Sequence, residues 1–186
     1  MDTSTLISIA STSAFASTLV FALTRALEVR RRRRQALGYL TGIQLEIAYA
    51  QECADGYVAE VDRGRAVWSP NYRAITEFTR LHLPWLAAEG YITSNESSEL
   101  LRFYGRSSEL NRSLDALASL TSAPGFEVPN PPKGMTLAET ETRRAYAKSQ
   151  NLLGRVADQM VGSTTSAWKA TTYALNRLKN SRWRSW

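Results

Sequence analysis

Apolar residues recur from Ala36 in steps of four and three: Ala36, Leu40, Ile43, Ile47, Ala50, Ala54, Tyr57 and Val61. That spacing predicts one seam of a long amphipathic helix of coiled-coil type, kept for nearly four heptads. Glu46, Glu52, Asp55 and Glu60 are expected on its other faces. Upstream the pattern changes. "TSTLISIASTSAFASTLVFALT", residues 3–24, holds no charged residue and is followed by Arg25 and then Arg30–Arg34. About 20 apolar residues in helical form cross a hydrocarbon core of about 30 Å, so the run has the length of a span. Serine and threonine dilute it, although their hydroxyls can bond back to carbonyls one turn earlier.

After Val61 the periodicity stops in "DRGRAVWSP", which reads as a loop. Ser69-Pro70 offers an N-cap and a first helical residue, predicting a second helix with Ile75, Phe78, Leu81 and Trp85 near one face. Pro84 should kink or restart that helix after Leu83, and Gly90 is a natural C-terminal stop. Thr93-x-x-Glu96 has capping-box spacing and opens a third helix to about Leu120. Leu101, Tyr104, Ser108, Asn111, Leu114, Leu117 and Ala118 are expected near its inner side.

"SAPGFEVPNPPKG", residues 122–134, is rich in proline and glycine and reads as an irregular connector. Thr136-x-x-Glu139 then starts a proline-free stretch to about Asn180, predicting one long helix. Its stripe is expected to include Ala145, Leu152, Val156, Met160, Ala167, Ala170, Ala174 and Leu178, with weak points at Gly154, Gly162 and Ser163–Ser166. At ~1.5 Å per residue the two long helices measure roughly 55 Å and roughly 67 Å, so an antiparallel return would bring the carboxyl terminus back beside the arginines. The fold class expected is therefore all-α: an N-terminal transmembrane helix continues into a long helix, antiparallel to a long C-terminal helix, with a small helical subdomain between. The divisions are 1–34 (anchor and arginine stop signal), 35–121 (helical domain), 122–134 (connector) and 135–186 (C-terminal helix and basic aromatic tail).

Charge changes the picture because of where it sits. The net charge is +6, yet residues 25–34 carry +5 (six arginines, one glutamate) and residues 177–186 carry +4 (Arg177, Lys179, Arg182, Arg184), leaving 6 − 5 − 4 = −3 for the body. Two short basic patches on an acidic body argue against a nucleic-acid binder. A basic flank after an uncharged run is the signature of a cytoplasmic stop, with the amino terminus outside an inner (plasma) membrane. Arg30, Arg31, Arg32, Arg33, Arg34, Arg177, Lys179, Arg182, Trp183, Arg184 and Trp186 are then expected at an anionic inner leaflet, where basic and tryptophan side chains are favoured. Small residues spaced by four, Ala10 with Ala14 and Ser13 with Ser17, are compatible with self-association of the segment.

Catalytic equipment is sparse. GxGxxG and GxxxxGK[ST] loops are missing, and a single histidine (His82) with a single cysteine (Cys53) excludes multi-histidine and cysteine-rich metal sites. No cofactor, metal ligand set or catalytic residue is expected. His82 at the edge of an apolar face and Cys53 within "AQECADG" read as packing residues. The aromatics Trp68, Tyr72, Phe78, Trp85, Tyr91, Phe103 and Tyr104 cluster along the chain, as a helical core or as a surface for a protein partner.

The stretch "YRAITEFTRLHLPWLAAEGYITSNESSELLRFYGRSSELNRSLDAL", following an uncharged segment and arginines, resembles a type found among uncharacterised bacterial and phage single-pass membrane-anchored helical proteins. The likeness covers residues 72–117 and is carried by Phe103, Tyr104, Leu110 and Asn111. It implies a bacterial or phage origin and no activity. The function expected is a membrane-anchored, cytoplasm-facing interaction or scaffold protein without catalysis. The alternative is a small membrane-active effector or pore-forming oligomer.

Overall fold

The computed structural model describes residues 3–62, 73–122 and 137–180, with side chains described from residue 17 onward except at 62 and 137–140. Among the described residues the architecture is all-α with four helices: α1 (Thr3–Asp62), α2 (Glu77–Ala88), α3 (Ser94–Thr121) and α4 (Leu137–Asn180). The chain divides into two compact units, Met1–Gly38 and Tyr39–Trp186, and α1 is continuous through both.

In the first unit the described part of α1 carries its apolar side chains on the outside. Leu19, Val20, Phe21, Leu23, Leu27 and Val29 are exposed, Phe21 at 72% and Leu27 at 65%. The expected transmembrane span is not borne out: among the described residues no helix is long and apolar enough to cross a membrane. Of the uncharged run only residues 17–24 are described with their side chains. They make roughly 12 Å of helix before Arg25, less than half of a hydrocarbon core.

The second unit is built as the α1 seam predicts. Leu40, Ile43, Ile47, Ala50, Ala54 and Tyr57 are all buried, and Val61 is half-buried. Each fully buried leucine or isoleucine there contributes about 1.5–3 kcal/mol of transfer free energy. Helix α4 returns antiparallel to α1: Gln44 Nε2 donates to Thr172 Oγ1 at 3.0 Å, and Val61 lies over Gly154. Those contacts are 17 residues apart on α1 (44 to 61) and 18 on α4 (154 to 172), as two antiparallel helices in register require. Helix α3 packs along α4, with α2 against α3.

The inner faces of the other helices differ from the sequence reading. On α2 the buried residues are Thr79, Leu83 and Leu86, whereas Ile75 and Leu81 are 53% and 59% exposed. On α3 the core is made by Leu100, Phe103, Ser107, Leu110, Leu114 and Leu117, and Leu101 is exposed. On α4 Tyr146 and Leu153 replace the expected Ala145 and Leu152, while the stripe from Val156 to Leu178 is buried as expected. Each of these faces buries a hydroxyl whose bonds are met, on α2 by another helix: Thr79 Oγ1 donates to Glu46 on α1 (2.7 Å). On α3 and α4 the buried hydroxyls bond their own helix: Ser107 Oγ to Phe103 O (2.9 Å), Ser163 Oγ to Met160 O (2.9 Å) and Thr171 Oγ1 to Ala167 O (3.1 Å). On those two helices residues that read as polar are thus satisfied locally and can be buried without a distant partner.

The restart expected after Leu83 does not occur, and the one long helix expected for α4 is present. Pro84 sits inside α2 on its exposed side, and α4 runs unbroken through Gly154, Gly162 and the Ser163–Ser166 stretch. The stop at Gly90 is present. Gly90 has φ +71, its N–H donates to Ala87 O (3.1 Å), and the Tyr91 N–H donates to Leu86 O (2.9 Å). This is the paired bonding of a Schellman end, which favours glycine because a Cβ is strained in the left-handed region. Ser69-Pro70 and the 123–134 part of the connector lie outside the described residues.

Candidate functional site

Three clusters of polar and aromatic side chains stand out from the packing of the second unit, and one charged cluster from the first.

The first is a ladder of rings where α1 meets α2. Tyr39 stacks on His82 with ring centroids 3.8 Å apart and planes 13° from parallel. Phe78 approaches His82 edge-on at 4.3 Å and Tyr39 at 6.0 Å, while Trp85 meets Tyr39 edge-on at 5.3 Å and lies tilted by 31° against Tyr91 at 5.4 Å. All five rings are half-buried. Such pairs contribute about 0.5–1.5 kcal/mol each beyond their area. The ladder brings together Phe78, Trp85 and Tyr91 of the aromatics singled out in the sequence. It leaves out Phe103, which is fully buried in the core, and Tyr104, half-buried on α3. Trp68 and Tyr72 lie outside the described residues. Tyr39 completes the ladder, and its spacing of three and four before Gly42 and Ile43 was the available signal. Gly42 makes the approach feasible, because a Cβ there would clash with the Phe78 ring.

The second is a carboxylate borrowed by a helix start. Glu46 on α1 is buried, and its oxygens accept from Phe78 N (2.7 Å), Thr79 N (2.8 Å) and Thr79 Oγ1 (2.7 Å). Those N–H groups belong to the first turn of α2, whose own N-cap residue, Thr76, makes no side-chain capping bond. A helix start leaves four N–H groups without intrahelical acceptors, and the positive end of its dipole favours a carboxylate. Glu46 therefore does from another helix what a local N-cap does. Just upstream, Asn111 on α3 holds Ala74 by two bonds, accepting from Ala74 N (3.1 Å) and donating to Ala74 O (2.9 Å). Arg73 pairs with Asp115 one turn further along.

The third joins α4 to the start of α3. Thr93 and Glu96 form the expected capping box, with Glu96 N–H donating to Thr93 Oγ1 (3.3 Å) and Thr93 N–H to Glu96 Oε2 (2.7 Å). Arg177 grips the same carboxylate with two nitrogens, each 2.8 Å from an oxygen, and donates to Tyr91 O at 2.8 Å. Burial works to raise the Glu96 pKa, but the bonds from Arg177 and Thr93 outweigh it and hold the carboxyl below its ordinary value. Arg177, expected at a membrane surface, is thus engaged within the helical unit. Lys179 is exposed, and Arg182, Trp183, Arg184 and Trp186 lie outside the described residues.

The fourth is the arginine run on α1. Arg30, Arg31, Arg32 and Arg34 are exposed and Arg33 half-buried. Glu28 accepts from Arg32 at 2.9 Å and lies 3.8 Å from Arg25.

Among the described residues no group of three or more His, Cys, Asp or Glu side chains converges as a metal site. Burial pushes the Cys53 thiol up; a hydrogen bond with Tyr49 works against that rise and Glu52 adds to it. The shift favours the thiol over the nucleophilic thiolate. No protein-family model, curated protein or solved structure matches the chain.

Proposed function

We propose that this is a membrane-anchored helical interaction protein that faces the cytoplasm and acts by contact, not catalysis. The observation that carries the reading is the exposed apolar surface from Leu19 to Val29, which ends on the arginines at 30–34. Six large apolar side chains on one exposed helix are costly in water and favourable in a hydrocarbon layer. The Thr24 hydroxyl, bonded to Val20 O at 2.8 Å, already has the partner it would need in lipid. In this reading the uncharged residues 3–24 lie in the bilayer and the arginines meet the anionic cytoplasmic leaflet.

The second unit supplies the contact surface. Ile75, Phe78, Leu81 and Trp85 form an apolar stripe by sequence, yet Ile75 and Leu81 point outward, beside the half-buried ring ladder. That face is offered to a protein partner, with Glu46, Asn111 and Arg177 keeping its backbone rigid. Removing residues 1–24 tests the anchoring. The shortened chain is expected in the soluble fraction and the full chain with membranes; a shortened chain that stays on membranes would refute this reading.

A further inference from the structure

The five consecutive arginines are not equivalent on the helix. At about 100° per residue, Val20, Leu23, Leu27, Arg30, Arg31 and Arg34 fall within an arc of about 100°. The apolar stripe of the first unit thus runs directly into three guanidinium groups. All six side chains are exposed, and among the described residues Arg30, Arg31 and Arg34 make no ion pair with a carboxylate. Arg25, Glu28 and Arg32 occupy the opposite flank, where Glu28 is shared between the two arginines. One face therefore presents a charge of three beside hydrocarbon, and the other is partly neutralised.

We infer that Arg30, Arg31 and Arg34 form a binding site for the phosphodiester headgroups of anionic phospholipids, with Val20, Leu23 and Leu27 beside the acyl chains. This deepens the membrane reading proposed above and rests on it. The match is one of layers. A lipid places its phosphate at the boundary of its hydrocarbon, and α1 places guanidinium groups at the boundary of its apolar stripe. Guanidinium binds phosphate oxygens in a two-pronged geometry that a solvated point charge does not offer. Free phosphate or nucleic acid would use the arginines and leave the adjoining apolar stripe in water, which is why lipid is the favoured ligand.

The test uses the full chain in detergent, diluted into vesicles of phosphatidylcholine alone or of phosphatidylcholine and phosphatidylglycerol at two parts to one, followed by flotation. The native protein is expected to favour the anionic vesicles. Replacing Arg30, Arg31 and Arg34 together by glutamine should reduce that preference on the order of 100-fold, about fivefold for each arginine. Replacing Arg25 and Arg32 by glutamine should change it less than about threefold, although simple loss of two charges predicts about 25-fold. Equal effects per arginine in the two variants would overturn the site. Native protein floating equally with both vesicle types would also overturn it, leaving the anchoring intact. Failure to float with either type would remove the membrane reading itself. Inorganic phosphate in excess, at constant ionic strength, should not compete. Competition by phosphate, or binding of duplex DNA without binding of anionic vesicles, would refute the lipid assignment.

Discussion

Replacing Glu46 by alanine should be among the most damaging single changes in the helical unit. The substitution leaves the Thr79 N–H and hydroxyl, both buried, and the Phe78 N–H without their acceptor. An unsatisfied buried donor costs about 1–3 kcal/mol, and loss of an N-cap typically about 1 kcal/mol. These overlap, because the cap bond is one of the lost bonds, so a total of about 3 kcal/mol is expected. For a unit of this size that lowers the melting temperature by about 6–12 °C. Glu46→Gln keeps one acceptor oxygen but loses the charge that favours a helix start, so about 1–2 kcal/mol is expected. Urea unfolding of the full chain in detergent, followed by far-UV circular dichroism, measures both through the midpoint at unchanged slope. Amide exchange at Phe78 and Thr79 should accelerate first in the alanine variant. An alanine variant within about 0.5 kcal/mol of native, or glutamine as harmful as alanine, would refute the argument that Glu46 caps α2.

Two further outcomes follow from the packing. Arg177→Ala should cost about 1–2 kcal/mol at neutral pH, less than a fully buried pair because Arg177 is 43% exposed. Since the Glu96 pKa is lowered by folding, its contribution is present above the ordinary carboxylate value and is lost as pH falls through the folded value. The stability difference between native and Arg177→Ala protein, measured by urea unfolding at a series of pH values, should therefore shrink toward acid; a constant difference would contradict it. Gly154→Ala and Gly162→Ala should move in opposite directions. A Cβ at 154 meets Val61 Cγ1 at 2.9 Å, so a loss of about 1 kcal/mol is expected, relieved by Val61→Ala. At 162 nothing lies within 4 Å, so alanine should stabilise by up to about 1 kcal/mol through helix propensity. Thermal unfolding of the two variants decides this.

What the sequence determined by itself was whatever is local or strongly periodic. The α1 seam was legible because its aliphatic and alanine positions keep one spacing from Ala36 to Tyr57, and both the Thr93/Glu96 box and the Gly90 stop are complete within a few residues. The inner faces of α2, of α3 up to Leu110 and of the first part of α4 were not read in register, whereas Leu114 and Leu117 on α3 were placed correctly. Thr79 and Ser107 are buried on the first two, and a hydroxyl whose bonds are met looks the same in sequence as a solvated one. Only the tertiary structure decided the clamps. Glu46 reaches Thr79 across 33 residues and Arg177 reaches Glu96 across 81, separations at which spacing carries no signal. The same holds for Arg177 itself, whose charge suggested a surface role until folding set a buried carboxylate beside it. Position along the chain fixed where charge is concentrated, and packing decided which of those charges face outward.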